Sequence, residues 1–172
     1  MSACSPPPSV EVTRDESAPI QTDRLHYVAR RRYEGVEFSV PFTYTNRSAD
    51  TVFLPNCRVE SGVDLDMALQ KRVRGQWHRV WGSGTLLCLS PPVVIAPGKT
   101  YTDTLEVFGG TPGKQVYPEF EVREVEGEYR LAWTQLRGPF DAARYPQGDT
   151  LPLDAKVSNA FALTVGWGHR RR

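Results

Sequence analysis

The chain has 172 residues, 40% of them hydrophobic and 24% charged, which suits one folded domain with tails. With 21 basic and 20 acidic residues the formal net charge is +1, so no global field draws it to nucleic acid, and no nucleic-acid partner is expected. No apolar run reaches the roughly 18 residues of a membrane span. Gly and Pro, at 14 each, suit many strands joined by turns better than a helical protein.

The chain opens Met1-Ser2-Ala3-Cys4-Ser5-Pro6-Pro7-Pro8-Ser9. A cysteine preceded by two small residues and an apolar one resembles the cleavage box of bacterial lipoproteins, whose cysteine becomes the lipidated N-terminus. The resemblance implies lipidation at Cys4, with the membrane reached through a lipid anchor only. The charged and hydrophobic segments that precede such a box are not in this chain, so Met1 is expected to be a late or trimmed start. The competing reading is an initiator Met with an incidental Cys. Residues 5–23 have almost no large apolar side chains and much Pro, Ser, Asp and Glu, so 1–23 is expected to be a flexible tether that carries the cysteine.

A domain is expected over 24–167, with a basic tail at 168–172. Leu25, Tyr27 and Ala29 alternate with polar neighbours, a first strand. Val36, Phe38, Val40, Phe42 and Tyr44 alternate without a break, the clearest strand in the chain. Pro41 within it cannot donate to a ladder and calls for a bulge or a free edge. Asn46 to Asp50 reads as a polar turn, although Asn46-Arg47-Ser48 matches the glycosylation triplet. Thr51 to Leu54 is a short strand, and Asn56 to Asp66 reads as a loop.

Met67 to Val73 and Trp77 to Trp81 flank Arg74-Gly75-Gln76 as a hairpin. Simple alternation puts Trp77, Arg79 and Trp81 on one face, with at least one indole in the core. After the Pro97-Gly98 turn, Tyr101 to Phe108 reads as a strand. Tyr129, Leu131 and Trp133 alternate with Glu128, Arg130 and Ala132 in the next, and Asn159 to Trp167 is the last. Residues 109–125 and 135–158 are long connections, of a length that in compact domains is usually functional or mobile.

About eight strands and no helix indicate two packed antiparallel sheets. The expected fold is all-β, and the order of elements resembles the immunoglobulin-like sandwich. Tyr44-Thr45-Asn46 followed by Val52-Phe53-Leu54, and the Ile95 to Gly98 turn before the Glu126 to Trp133 strand, resemble bacterial domains related to the bacillar intracellular proteinase inhibitor. The order of elements is also similar to immunoglobulin-like lipoproteins with paired cysteines. That resemblance implies an envelope-facing binding or scaffold domain with no known chemistry. The proteinase-inhibitor resemblance implies instead a presented loop, and 109–125 is the candidate, with Lys114 and Arg123 as specificity residues.

Cys57 and Cys88 both fall at expected strand ends, where a bridge would tie two loops. A loop of that length gives about 3.5–4 kcal/mol of stabilisation in the chain-entropy account. One lipidated cysteine and one disulfide use all three cysteines. Two free buried thiols in a reducing compartment are the alternative. Catalytic patterns are missing: His26, His78 and His169 are far apart, Gly82-Ser83-Gly84 lacks the spacing of a nucleophile elbow, and there is no phosphate loop. No enzyme activity and no cofactor are expected. Glu60, Asp64 and Asp66 form a weak calcium candidate, more simply read as a solvated loop. Tyr117, Phe140 and Tyr145 lie in the long connections, where they either anchor a partner or staple the loops, and stapling is the favoured reading. The partner implied is a protein or glycan at the cell envelope.

Overall fold

A computed structural model describes residues 11–54, 56–59, 62–83, 91–114, 116–134 and 151–166, with the backbone alone for 56–59 and 62–65. The architecture is all-β. Twelve strands occur in chain order: β1 Ile20–Thr22, β2 His26–Arg32, β3 Gly35–Thr45, β4 Val52–Leu54, β5 Asn56–Val59 and β6 Gly62–Leu65. They continue with β7 Met67–Val73, β8 Gln76–Gly82, β9 Val93–Ile95, β10 Thr100–Gly110, β11 Gly127–Trp133 and β12 Phe161–Gly166. The described residues add one 3₁₀ turn, Leu153–Lys156.

The main sheet folds over at β2. Its last residues, Arg30 to Arg32, pair antiparallel with Glu37 to Gly35 of β3, whereas His26 to Arg30 pair parallel with β12. One layer is therefore β10, β3 and β1, and the other continues from β12 through β11 and β7 to β8. Side chains from non-neighbouring strands meet between the layers. Phe42 of β3 lies edge-on to Trp133 of β11 with centroids 5.6 Å apart, and Trp81 of β8 donates its Nε1–H to the Phe108 carbonyl of β10 at 3.1 Å. At the start of β11, the Tyr129 hydroxyl donates to the Val125 carbonyl four residues upstream, the tyrosine corner of immunoglobulin-like sandwiches.

The alternation expected for the two clearest strands is what fills this core. Val36, Phe38, Val40, Phe42 and Tyr44 are all buried, as are Tyr129, Leu131 and Trp133. Pro41 lies on the edge of β3 shared by β1 and β2, just past the Thr22–Phe42 pair that ends β1. Asp23 N–H still donates to the Pro41 carbonyl at 3.1 Å. The return bond is impossible without an amide proton on Pro41. The Asp23 carbonyl instead accepts from the Arg14 guanidinium at 3.4 Å, and the Thr22 carbonyl accepts from the same group at 3.0 Å.

Four sequence expectations change. The stretch expected to be tether through residue 23 contributes to the sandwich: Ala18 and Ile20 are buried, β1 pairs with β3, and Arg47 donates to the Ser17 and Glu16 carbonyls. A three-residue strand is too short to show periodicity, and besides β3 it is held from the far end of the chain, where Asn159 Oδ1 accepts from Thr22 N–H at 2.8 Å. The stretch 56–66, expected to be a loop, contains the β5–β6 hairpin. Trp77, Arg79 and Trp81 do not share a face. Leu69 pairs with Trp81 while Gln70 pairs with Arg79, so Val80 is the extra residue of a bulge, and Trp81 turns into the core while Trp77 stays outside. Finally, residues 109–125 are less of a loop than expected, since Gly109 and Gly110 complete β10 and Phe120 and Val125 are core residues.

Candidate interaction surface

The end of the sandwich where β2 turns into β3 is held by backbone contacts too close for side chains. A Cβ on Gly35 would lie 2.2 Å from the Gly109 carbonyl oxygen, and one on Gly110 would lie 2.6 Å from that of Val116. Only glycine fits at either place, since the obstacle is main chain. Thr111 N–H donates to the Glu34 carbonyl at 2.9 Å. Gly110 donates its N–H to the Pro118 carbonyl, and its own carbonyl accepts from Phe120 N–H, both at 2.9 Å. The segment Thr111–Glu119 is thus a protrusion closed at its base, and Glu119 Oε1 accepts from Gly113 N–H inside it at 2.7 Å. The fully buried Phe120 ring then returns the chain to the core.

On this rigid base sit large side chains that the fold leaves in solvent. Tyr33 at the β2–β3 turn is 101% exposed, Tyr117 on the protrusion 80%, and Phe108 near the end of β10 46%. Phe108 follows Val107, which is buried, so the pleat forces it outward. Two shallow grooves meet at Phe108. One, of about 460 Å³, is lined by Arg32, Tyr33, Glu34, Gly35, Phe108 and Val116. The other, of about 490 Å³, lies where β2 leaves β3 and includes Val28, Arg30, Glu37, Ser39, Glu106 and Phe108. Arg32 Nε pairs with Glu37 Oε1 at 2.7 Å, and Ser39 donates to Glu106. An apolar centre with a rim of both charge signs is the anatomy of a protein-binding patch.

The outer face of the other layer is organised differently. Arg130 stacks on Trp77 with its guanidinium 4.6 Å from the ring centroid, Arg72 lies at 6.0 Å, and Arg130 Nε donates to Gln70 Oε1 at 2.7 Å. Arg72 also pairs with Glu128 at 3.3 Å. The indole is thus engaged by the protein's own side chains. Burial lowers the pKa of both Arg130 and Lys71. The Lys71 ammonium, under the Gly127 corner, donates to the Glu124 carbonyl and lies 6.0 Å from the centroid of the Tyr129 ring.

Of the residues singled out in the sequence, Lys114 and Tyr117 fall on the protrusion, and Arg123 is exposed beyond Phe120. Cys4, Glu60, Cys88, Phe140 and Tyr145 lie outside the described residues. Cys57 and Asp64 are opposite each other in the β5–β6 hairpin, described by backbone alone. The Asp66 carbonyl accepts from Thr134 N–H at 2.9 Å. Among the described residues no group of three or more His, Cys, Asp or Glu side chains is placed to hold a metal ion, and no helix is long and apolar enough to cross a membrane. Asn46 of the glycosylation triplet is fully buried, donating to the Ile95 and Asp50 carbonyls at 2.8 Å each.

Sequence reasoning missed Tyr33 and Phe108. The signal for Phe108 was present, because it is out of phase with Leu105 and Val107 on a strand whose other face is polar. Compared with known protein families, curated proteins and solved structures, the chain has no significant match.

Proposed function

We propose that this chain is a non-enzymatic binding domain of a bacterial lipoprotein, anchored at the cell envelope through Cys4, with the Tyr33–Phe108–Tyr117 end as its protein-binding surface. The observation that carries the surface is the pairing of exposed aromatic side chains with a backbone so tightly packed that it admits only glycine. Rigid aromatics lose little conformational entropy on binding and are the residue types enriched at the energetic centres of interfaces. Envelope attachment rests on the Met1–Cys4 box.

Two measurements on the full bacterial precursor test this reading. Palmitate incorporation is expected in the wild type and lost in Cys4→Ala; label unchanged by that substitution would refute the anchor. A photo-crosslinking side chain at position 33 is expected to give a discrete adduct in cells, weakened at least tenfold by Phe108→Ser, while one at the outward-facing Thr164 gives none. Equal adducts at both positions would remove the assigned surface.

One observation favours a second reading, proteinase inhibition. Lys114 is exposed on a protrusion clamped at Gly110, as a presented inhibitory loop requires. A panel of serine and cysteine proteases decides it, and no inhibition at micromolar concentration ends that reading.

A further inference from the structure

Among the described residues β10 is the outermost strand of its layer. It pairs with β3 along its whole length, and among the described residues no strand lies along its other side. In an antiparallel pair the N–H and C=O of one residue point to the same side, and the side alternates along the strand. The register settles which residues face outward. Pro41 turns its carbonyl toward Asp23, away from β10, so its partner Thr104 turns its N–H and C=O to the free edge. Every even-numbered residue from Thr100 to Gly110 therefore does the same.

The hydrogen bonds agree with this assignment. Gly110 uses both edge-facing groups on Pro118 and Phe120, and the Phe108 carbonyl accepts from Trp81. The chain's own elements thus close the edge from Phe108 onward. Further along, the Thr104 amide donates to Oδ1 of its neighbour Asp103 at 2.7 Å, and the Tyr101 hydroxyl holds the other oxygen of that carboxylate. Among the described residues nothing reaches the edge-facing groups of Thr102 and Glu106.

The open part of the edge is complementary to itself. A two-fold axis through Thr104 sets Thr104 against its own counterpart and Thr102 against Glu106, so that no like charges meet. Parallel pairing in register would stack Glu106 on Glu106, which is destabilising. An inward-pointing carboxylate on an edge strand is a known deterrent to such pairing. We propose that the outer edge of β10 is a strand-pairing surface for a second copy of this chain, antiparallel about Thr104, and that Asp103 holds it closed by occupying the Thr104 amide. Removing the carboxylate frees that amide, and the edge-facing groups of Thr102, Thr104 and Glu106 can then be exchanged between copies.

The test compares the full chain with Asp103→Val, Asp103→Ser and Asp103→Val/Thr104→Pro by sedimentation equilibrium and amide exchange. Proline is tolerated where an amide faces a free edge, so Thr104→Pro blocks pairing and spares the β3 ladder. Both Asp103 variants are expected to self-associate at least tenfold more tightly than wild type, with slowed exchange at Thr102, Thr104 and Glu106 only. The double variant is expected to return to the wild-type state. Self-association that stays at the wild-type level in a folded Asp103 variant overturns the proposal. So does association that survives Thr104→Pro, or a wild-type dimer that Thr104→Pro already abolishes.

Discussion

The long β3–β10 ribbon ends in two opposite ways. At the Thr45 end a polar side chain is buried, and at the Gly35 end apolar side chains are exposed. Asn46 has no solvent exposure, yet every polar group it carries is engaged: its amide donates to two carbonyls, and its Oδ1 accepts from the Ser48 N–H and hydroxyl. Its backbone also bonds to Lys99 and Gly98 across the turn. At the other end Tyr33, Phe108 and Tyr117 stand in water on a glycine-packed base. A buried and satisfied polar group belongs to the fold, whereas a cluster of exposed aromatics adds little to folding, which is the basis of the proposed interface.

The sharpest way to break this contrast is Asn46→Ala. It strands the buried Ile95 carbonyl and removes the Oδ1 that accepts from Ser48, and the expected loss is about 3 kcal/mol in urea unfolding. Next comes Gly35→Ala, whose new methyl meets the Gly109 carbonyl; forcing the strands apart is expected to cost about 2 kcal/mol, read as a lowered melting temperature. Alanine at Gly35 also tilts the hairpin under Tyr33, so the position-33 crosslink should fall with it.

Titration to high pH sharpens the comparison from the fold side. Burial raises the pKa of Tyr44 to about 12 and raises those of Tyr27, Tyr101 and Tyr129 as well, the first two helped by hydrogen bonds to Asp23 and Asp103. Unfolded chains release these protons near pH 10, so the unfolded state binds fewer protons above that pH. Stability from these four phenols is complete below pH 10 and is lost as pH rises through their folded values. Lys71, lowered by burial, acts in the opposite sense, adding stability as pH rises toward 10.5. Their phenolate absorbance is expected to appear in one step with the loss of far-UV β signal. The smallest expected effect is at the surface: Tyr33→Ser alone should change stability by less than about 0.5 kcal/mol.

Much of the framework was legible in the sequence, and for a physical reason. Val36 to Tyr44 and Tyr129 to Trp133 form half-buried strands, and a half-buried strand must alternate. What stayed hidden depends on tertiary partners. Ile20 is buried because β3 and Asn159 receive it, not because its neighbours are apolar. Trp81 points inward because one bulge shifts the phase after Arg79, a change no alternation rule can contain. The candidate surface was half visible. Tyr117 stood out as an aromatic in a long connection, while Tyr33 and Phe108 become a site only when the β2–β3 turn and the end of β10 come together.

Urea unfolding of the triple variant Tyr33→Ser/Phe108→Ser/Tyr117→Ser tests most directly whether these aromatics serve a partner or the fold. Tyr33 and Tyr117 bury little and Phe108 about half of its surface, so a cooperative transition weakened by no more than about 1.5 kcal/mol is predicted. A loss several times larger, or a transition no longer cooperative, would show that the aromatics are core elements and would contradict the assignment of this end as an interface.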